Sequence, residues 1–263
     1  MKPAVILSAL FAAALAAPSP DAVARSLARR RAARAQRAQR AQHSTPRILA
    51  AASAEYNENW AGAVLTGKSV TAASGSFPVL KAGVPTKKEA GEREYTASAW
   101  VGLDGYDCSG LWQAGVDSIV ESSGETSFYA WYEWYPADTQ VVDLGEISAG
   151  DVINVELTAA STTEASVVLE NKTNGNKFTK TVTSSDALCG TAAEWILEDV
   201  TFEDSNTGLA NFGSVTFSDI QATVGGASTS SISDAVIMDI QDTDNNILTS
   251  SKVSGSTVVV TYD

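Results

Sequence analysis

From residue 128 to the end of the chain, hydrophobic and polar residues alternate with a period of two in a series of short runs. The runs are rich in Val, Thr, Ile, Phe, Tyr and Trp, which suit a pleated surface, and turn residues separate them. The predicted strands are Phe128 to Tyr135, Val152 to Thr158, Ala165 to Glu170, Lys177 to Thr183, Trp195 to Phe202, Ser214 to Ser218, Ala235 to Gln241 and Thr257 to Tyr262. The dipeptide Asn174-Gly175 between two runs predicts a hairpin. No helix longer than a turn or two is predicted here.

The pattern predicts one all-β domain over residues 55–263, which at about 210 residues is within the range of a single sandwich or barrel. We expect an antiparallel β-sandwich of two packed sheets, similar to concanavalin or jelly-roll folds. Alternation places Trp134 in the core, whereas Glu133 and Tyr135 point to the other face. Residues 81–93 are a polar, Lys/Glu-rich loop that is a candidate for cleavage into two chains.

The N-terminal residues are typical of an exported protein. Lys2 precedes the apolar run Ala4 to Leu15, and small residues and prolines follow as far as Pro20. This arrangement predicts a signal peptide over residues 1–18 and a secreted, extracellular protein. Because no other long apolar stretch follows, a membrane span is not expected. Residues 19–54 are expected to be a basic pro-segment that is removed.

Charge is divided unequally along the chain. Residues 1–50 contain nine Lys/Arg and one acid, a net charge of +8, whereas residues 51–263 contain nine Lys/Arg and thirty acids, a net charge of −21. A basic run is often a solvated or nucleic-acid-binding tail. This imbalance instead favours a clamp in which the pro-segment lies across the acidic domain as an intramolecular inhibitor that acid releases. Val23 and Leu27 are its few apolar residues, so a helix there needs a partner.

The single histidine, His43, lies in the pro-segment. The domain therefore contains no imidazole, which excludes Ser-His-Asp and Cys-His nucleophile systems, His-ligated zinc and histidine general bases. An enzyme built on this domain would use carboxylates and amides. No metal or cofactor is predicted, because the acids lack EF-hand or zinc spacing. Asp239, Asp242 and Asp244 are interpreted as solvated turn acids.

Cys108 and Cys189 are the two cysteines and, in an exported protein, are predicted to form one disulfide. Gln113 and Glu194 each lie five residues after one of them. A bridge that holds the two Cα atoms about 5.5 Å apart could bring neighbouring strands together so that Gln113 and Glu194 face each other. On spacing alone, such a Gln and Glu are in most cases ordinary surface residues.

Five short segments give these residues a context. They are Asn59-Trp60-Ala61-Gly62, Ser98-Ala99-Trp100-Val101-Gly102-Leu103-Asp104-Gly105, Leu111-Trp112-Gln113-Ala114-Gly115, Trp131-Tyr132-Glu133-Trp134-Tyr135-Pro136 and Ala193-Glu194-Trp195-Ile196. In this order they resemble the fungal glutamic peptidases, also known as eqolisins or peptidase family G1. The resemblance implies a pepstatin-insensitive acid endopeptidase with a substrate groove across one concave face. It implies that the catalytic residues are Gln113 and Glu194, and that the substrate-binding residues are Trp60, Trp100, Asp104, Glu133 and Tyr135.

A Gln/Glu pair suits the chemistry of peptide hydrolysis, which needs an activated water and stabilisation of an oxyanion. Ionised Glu194 can take a proton from water and later deliver it to the departing amine. Gln113 cannot ionise, and its amide can donate to the oxyanion while its carbonyl helps hold the water. Ile196 and Glu198 share the strand face of Glu194 and are candidates to support it.

Two other functions are compatible with a secreted, aromatic-rich sandwich. A glycoside hydrolase could use Glu133 and Glu194 as acid and nucleophile about 5–5.5 Å apart. A non-catalytic carbohydrate-binding module could stack its tryptophans on sugars. For the peptidase, the expected partners are protein and peptide substrates and its own pro-segment. We expect a monomer with no nucleic-acid or membrane partner. Asn171 begins a glycosylation sequon in a predicted loop.

Overall fold

Strands account for almost all of the regular structure in the computed structural model, which describes residues 20–21, 23–25, 27–28, 54–86, 94–200 and 207–263. The strands within these ranges are β1 (Glu55–Asn57), β2 (Trp60–Thr66), β3 (Val70–Pro78), β4 (Glu94–Asp104), β5 (Leu111–Glu121), β6 (Thr126–Tyr135), β7 (Gln140–Val142), β8 (Val152–Ala159), β9 (Glu164–Asn171), β10 (Asn176–Thr183), β11 (Ala192–Glu198), β12 (Thr207–Leu209), β13 (Ser214–Val224), β14 (Ala227–Thr229), β15 (Val236–Ile240), β16 (Thr249–Ser254) and β17 (Thr257–Tyr262). The all-β prediction is confirmed.

The strands form two packed sheets. Sheet I has the order β1-β15-β2-β11-β4-β5-β6-β7 with β12 beside β4, and sheet II has the order β10-β9-β8-β3-β13-β17-β16 with β14 beside β13. The predicted antiparallel β-sandwich is confirmed, with two short parallel additions where β1 meets β15 and β12 meets β4. The hairpin at Asn174-Gly175 also forms, between β9 and β10. Gly175 has a φ of 79°, which glycine adopts without strain.

The core between the sheets is filled by side chains from alternate positions of each strand. Trp112, Trp134 and Trp195 all lie in it. Each indole N–H donates to a backbone carbonyl oxygen, so these buried polar groups are satisfied. The predicted core position of Trp134 is confirmed.

Sheet I is buried on both faces, because its own side chains form a second apolar cluster on the face turned away from sheet II. This outer cluster consists of Trp60, Val64, Trp100, Leu111, Ile119, Tyr129, Trp131, Ala192, Ile196 and Met238. As a result, β4 is buried at every position and β5 at all but its last. The alternation pattern missed both strands, since a period of two appears only where one face meets solvent.

Two residues expected at the surface are buried. Asp239 lies in β15 and is 6% exposed, so its interpretation as a solvated turn acid is wrong, although Asp242 and Asp244 do lie between β15 and β16. Asn171 of the sequon ends β9 and is 0% exposed, and its amide donates to Asp151. The folded domain therefore does not present Asn171 to solvent.

A helical segment from the predicted pro-segment lies on the outer cluster. Its described residues, 20–21, 23–25 and 27–28, are helical. Val23 and Leu27 pack against the outer cluster, and Arg25 pairs with two glutamates of sheet I. The partner that the sequence required for these apolar residues is thus the domain itself. Among the described residues, no helix is long and apolar enough to cross a membrane.

Several predictions concern residues outside the described ranges. They are the signal peptide over residues 1–18, most of the basic segment including His43, and the part of the candidate cleavage loop from residue 87 to residue 93.

Candidate active site

Four residues on the outer face of sheet I form a row across four strands. Glu194 of β11 pairs with Gly102 of β4, Gly102 pairs with Gln113 of β5, and Gln113 pairs with Glu133 of β6. We call these four residues the polar row. Neighbouring strands lie about 4.8 Å apart, so the backbones of Glu194 and Gln113 are separated by about 10 Å. We expected their two strands to be neighbours, but β4 lies between them.

Gly102 allows other side chains to pack closely against the backbone between Glu194 and Gln113. A Cβ atom at this position would lie 2.7 Å from Trp100 Cζ3 and 3.3 Å from both Glu194 Oε2 and Leu111 Cδ1. Any side chain here would therefore displace the Trp100 ring and the Glu194 carboxylate.

Glu194 is fully buried and has a defined donor. Its Oε1 accepts a hydrogen bond of 3.0 Å from the backbone N–H of Tyr106, which stabilises negative charge on the carboxylate. The hydroxyl of Tyr106 in turn donates to Glu55 of β1 at 2.7 Å. Burial and the neighbouring Glu55 raise the pKa of Tyr106, so this phenol stays a donor. The two hydrogen bonds of Tyr106 therefore link Glu194 to β1.

Gln113 is 3% exposed and is oriented by Glu133. Its Nε2 donates to Glu133 Oε1 at 3.4 Å, and the Thr139 hydroxyl donates to the other oxygen of Glu133. Among the described residues, none donates to Gln113 Oε1, although that atom is buried. Buried amide oxygens normally accept a hydrogen bond. The geometry therefore fixes the NH₂ group towards Glu133 and leaves an acceptor for a water or a substrate.

Asp104 holds the segment that leads into β11. Its carboxylate accepts hydrogen bonds from the backbone N–H groups of Cys189, Gly190, Thr191 and Ala192, at 2.7–3.2 Å. Asp104 is 1% exposed and has a φ of 64°, a left-handed conformation that Asp tolerates better than most residues. Both oxygens are used by this loop, so we interpret Asp104 as a residue that positions the loop.

The predicted disulfide joins the same two segments. Cys108 and Cys189 are bonded, with their Cα atoms 6.0 Å apart. The bridge and the Asp104 carboxylate therefore fix the segment before Glu194 at two points.

Aromatic residues surround the polar row. Trp60 and Trp100 meet edge to face with ring centroids 5.0 Å apart, and the indole N–H of Trp100 donates to Glu198 at 3.0 Å. Ile196 belongs to the outer cluster, and Tyr135 packs against it. Trp60, Trp100 and Tyr135 thus lie on the same face as the predicted catalytic residues.

Sequence reasoning missed a buried acid on this face. Asp117 is 0% exposed, and its carboxylate accepts hydrogen bonds from Ser98 at 2.6 Å, Trp131 at 2.7 Å and Tyr129 at 2.5 Å. The sequence does contain a signal for this buried acid. Asp117 lies in an apolar run four positions after Gln113, on the same strand face. Asp117 fixes the two aromatic rings that line this part of the face.

The chain is similar to known proteins over most of its length. Residues 58–262 match the model of the Peptidase A4 family. The chain is 40% identical over 286 residues to aspergillopepsin-2 of Aspergillus niger, with 98% of each protein covered. It is 36% identical over 271 residues to scytalidopepsin B of Scytalidium lignicola, again with 98% of each covered.

Solved structures share the fold of this chain. Scytalido-glutamic peptidase with a peptide-based transition-state analogue superposes with a TM-score of 0.66 at 34% identity, covering 79% of this chain and 99% of that chain. Aspergilloglutamic peptidase from Aspergillus niger superposes with a TM-score of 0.59 at 45% identity, covering 64% of this chain and 99% of that chain.

Proposed function

The chain belongs to the Peptidase A4 family and hydrolyses peptide bonds, and from this premise we propose that Gln113 and Glu194 carry out the hydrolysis through an activated water, without a covalent intermediate. The observation that carries the proposal is the polar row, in which both residues flank Gly102 on one face of sheet I. Because the chain belongs to a peptidase family, the glycoside hydrolase and carbohydrate-binding alternatives are not supported. In addition, Gly102 and Gln113 separate Glu133 from Glu194 in the row.

Glu194 acts as the general base and then as the general acid. The N–H of Tyr106 stabilises its ionised form, which can take a proton from the attacking water. The water oxygen attacks the scissile carbonyl carbon, and the C–N bond then breaks as the amine nitrogen receives the proton from Glu194. Glu194 thus accepts one proton from the water, delivers it to the amine and returns to its ionised form.

Gln113 stabilises the oxyanion. One hydrogen of its NH₂ group is directed to Glu133, and the second is available for the oxygen that develops negative charge. The amide oxygen can accept a hydrogen bond from the attacking water. Glu133 and Thr139 are positioning residues in this scheme, because they set the orientation of the amide.

The enzyme is proposed to be an acid peptidase that pepstatin does not inhibit. Aspartic peptidases rely on two like carboxylates that share one proton, whereas here one partner is an amide that never ionises. An inhibitor that depends on a carboxylate pair therefore lacks its target. Trp60, Trp100 and Tyr135 are proposed to contact the substrate from the outer cluster.

The chain is proposed to be secreted as a precursor, with a signal peptide over residues 1–18, a removable basic pro-segment over residues 19–54 and the peptidase over residues 55–263. Strand β1 starts at Glu55, which supports this last boundary. The contact of Val23 and Leu27 with the outer cluster supports a pro-segment that covers the substrate face. Acid is proposed to release the pro-segment by protonating carboxylates of the domain. A precursor that kept its pro-segment bound with unchanged affinity at about pH 3, below the ordinary carboxylate range, would contradict this step.

The catalytic proposal is tested by digestion of an unfolded protein at about pH 2 to 5, where model carboxylates titrate, with pepstatin present. Acid-treated wild type is compared with Glu194→Gln and with Glu170→Gln, which makes the same chemical change in β9 of sheet II. Cleavage by wild type and Glu170→Gln, together with its loss in Glu194→Gln, supports the proposal. Undiminished cleavage by Glu194→Gln, or inhibition of wild type by pepstatin, overturns it.

A further inference from the structure

Two glutamates face each other at one end of the outer face of sheet I. Glu94 is the first residue of β4 and Glu121 is the last of β5, and they are direct partners across this antiparallel pair. Each lies eight residues from the polar row, Glu94 from Gly102 and Glu121 from Gln113. At about 3.3 Å per residue, this distance is about 26 Å along the strands. The even spacing places both glutamates on the face that carries Gln113.

Arg25 of the pro-segment joins these two carboxylates. Its Nε lies 2.5 Å from Glu94 Oε1, and its Nη2 lies 3.2 Å from Glu121 Oε1. The guanidinium group has several donors in one plane, so it can bind two carboxylates at once.

The two glutamates need a cation more than ordinary surface acids do. Like charges directly opposite each other on paired strands are destabilising. With Arg25 in place, the Glu94 side chain is only 5% exposed, and a buried carboxylate is costly unless it is paired. Glu121 is 38% exposed, so the site opens to solvent on its side. The Arg25 contact is therefore a built site, in which one acid is fixed by burial and the other is accessible.

We propose that Glu94 and Glu121 form a guanidinium-binding subsite, about 26 Å along the strands from the polar row, that holds Arg25 in the precursor and binds an arginine of a peptide in the mature enzyme. The subsite lies within β4 and β5, so it persists when the pro-segment is removed. The arginine then belongs to the released pro-segment or to a substrate polypeptide. An extended chain of about eight residues spans this distance. The inference deepens the proposed function, because it rests on the pro-segment acting as an inhibitor.

The first experiment measures binding of a fluorescent peptide of residues 19–42 to the mature enzyme at about pH 6.5, above the ordinary carboxylate range. We expect Arg25→Gln in the peptide to weaken binding about tenfold or more, and Arg25→Lys to weaken it less, because charge-assisted hydrogen bonds are lost in turn. Arg34→Gln is the matched control for peptide charge. It should lower the affinity less than Arg25→Gln.

The same peptides are then bound to the Glu94→Gln/Glu121→Gln enzyme. The wild-type peptide and the Arg25→Gln peptide should bind to this variant enzyme with equal affinity. The Glu164→Gln/Glu170→Gln enzyme changes two acids of β9 in sheet II and controls for net charge. Unchanged binding by the Glu94/Glu121 variant, or an equal loss in the control enzyme, overturns the proposal. Should the double variant fail to fold, Glu121→Gln alone, at the exposed side of the site, carries the same test.

A second arm distinguishes the two sources of arginine. Paired substrates that differ by one Arg→Gln change, about eight residues from the cleaved bond, are compared on wild type and on the Glu94/Glu121 variant. An arginine-dependent rise in kcat/KM on wild type alone assigns the subsite to substrates as well. Binding of the pro-segment peptide without this rise assigns the subsite to the pro-segment. If neither effect is observed, the proposal is overturned. The peptide-binding experiment compares Arg25 with Glu94 and Glu121 and requires no turnover, so failure of the catalytic proposal would leave its result intact.

Discussion

Gln113 and Glu194 lie in strands that are not neighbours, and both are paired in register with Gly102. Strand β4 separates them by two strand spacings, and its residue between them is the one that lacks a side chain. In the proposed mechanism, their cooperation therefore depends on the missing side chain at residue 102 as well as on their own chemistry.

Gly102→Ala should lower kcat by about a hundredfold, because displacements near 1 Å in an active site have costs of this order. The added Cβ would lie 2.7 Å from Trp100 and 3.3 Å from Glu194 Oε2, so both the indole and the carboxylate must move. Overpacking of this kind should also destabilise the fold by about 1–3 kcal/mol. Steady-state kinetics and thermal unfolding measure the two effects separately.

Gly83→Ala is the control for this change. A Cβ there would lie 3.5 Å from the carbonyl oxygen of Asn211, an ordinary contact. It should leave kcat unchanged. A Gly102→Ala enzyme with wild-type kcat would show that the missing side chain at residue 102 has no catalytic importance.

Gln113→Ala should lose about 10²–10³-fold in kcat, as expected for removal of an oxyanion donor. Gln113→Glu is the more informative variant, because an ionised carboxylate cannot donate a hydrogen bond and a protonated one can. Its activity relative to wild type should therefore rise as the pH falls. A pH profile of kcat for both variants tests this, and a constant ratio of Gln113→Glu to wild type would argue against the donor role.

The sequence predicted the β-sandwich, the disulfide and a core position for Trp134. Alternation identified strands with one solvated face, such as β8 and β9, whose burial alternates along the chain. It could not identify β4 and β5, because both faces of these strands are covered and burial no longer varies. The strands that carry the polar row and the guanidinium subsite were thus the hardest to predict.

The candidate catalytic residues came from short segments and not from spacing. The disulfide suggested adjacent strands, yet the actual arrangement depends on the order β11-β4-β5-β6, which one sequence does not specify. The same order explains why Asp117 was missed. Its partners Ser98, Tyr129 and Trp131 lie on the two neighbouring strands.

Asp104→Asn should reduce both stability and kcat. The carboxylate accepts four backbone N–H groups of the loop before Glu194, and an asparagine NH₂ would face donors instead of accepting from them. Leaving buried donors unsatisfied costs about 1–3 kcal/mol. Because the loop positions Glu194, kcat should fall more than KM rises. Asp234→Asn changes an exposed acid and should alter neither quantity. A variant that is destabilised but keeps its kcat would limit Asp104 to a structural role.

Asp239 provides a pH-dependent contribution to stability. Burial raises the pKa of Asp239 above its ordinary value, and the Asp263 carboxylate adds to the rise, while hydrogen bonds from Ser251 and Thr249 oppose it. The folded state therefore binds a proton more tightly than the unfolded state. Stability from this residue is present in acid and is lost as the pH rises through the folded-state pKa.

Asp239→Asn should consequently stabilise the domain at about pH 7 and leave its stability nearly unchanged at about pH 3, below the ordinary carboxylate pKa. Asparagine keeps an acceptor oxygen for the hydroxyls of Ser251 and Thr249, and it removes the buried charge. The measurement is thermal unfolding of the mature domain from acid to neutral pH. Asp244→Asn, at an exposed residue in the turn between β15 and β16, should shift the curve at neither pH. Equal stabilisation by Asp239→Asn at both pH values would mean that protonation of Asp239 does not determine the stability change. Destabilisation at neutral pH would mean that the hydrogen bonds of Asp239 outweigh the cost of its buried charge.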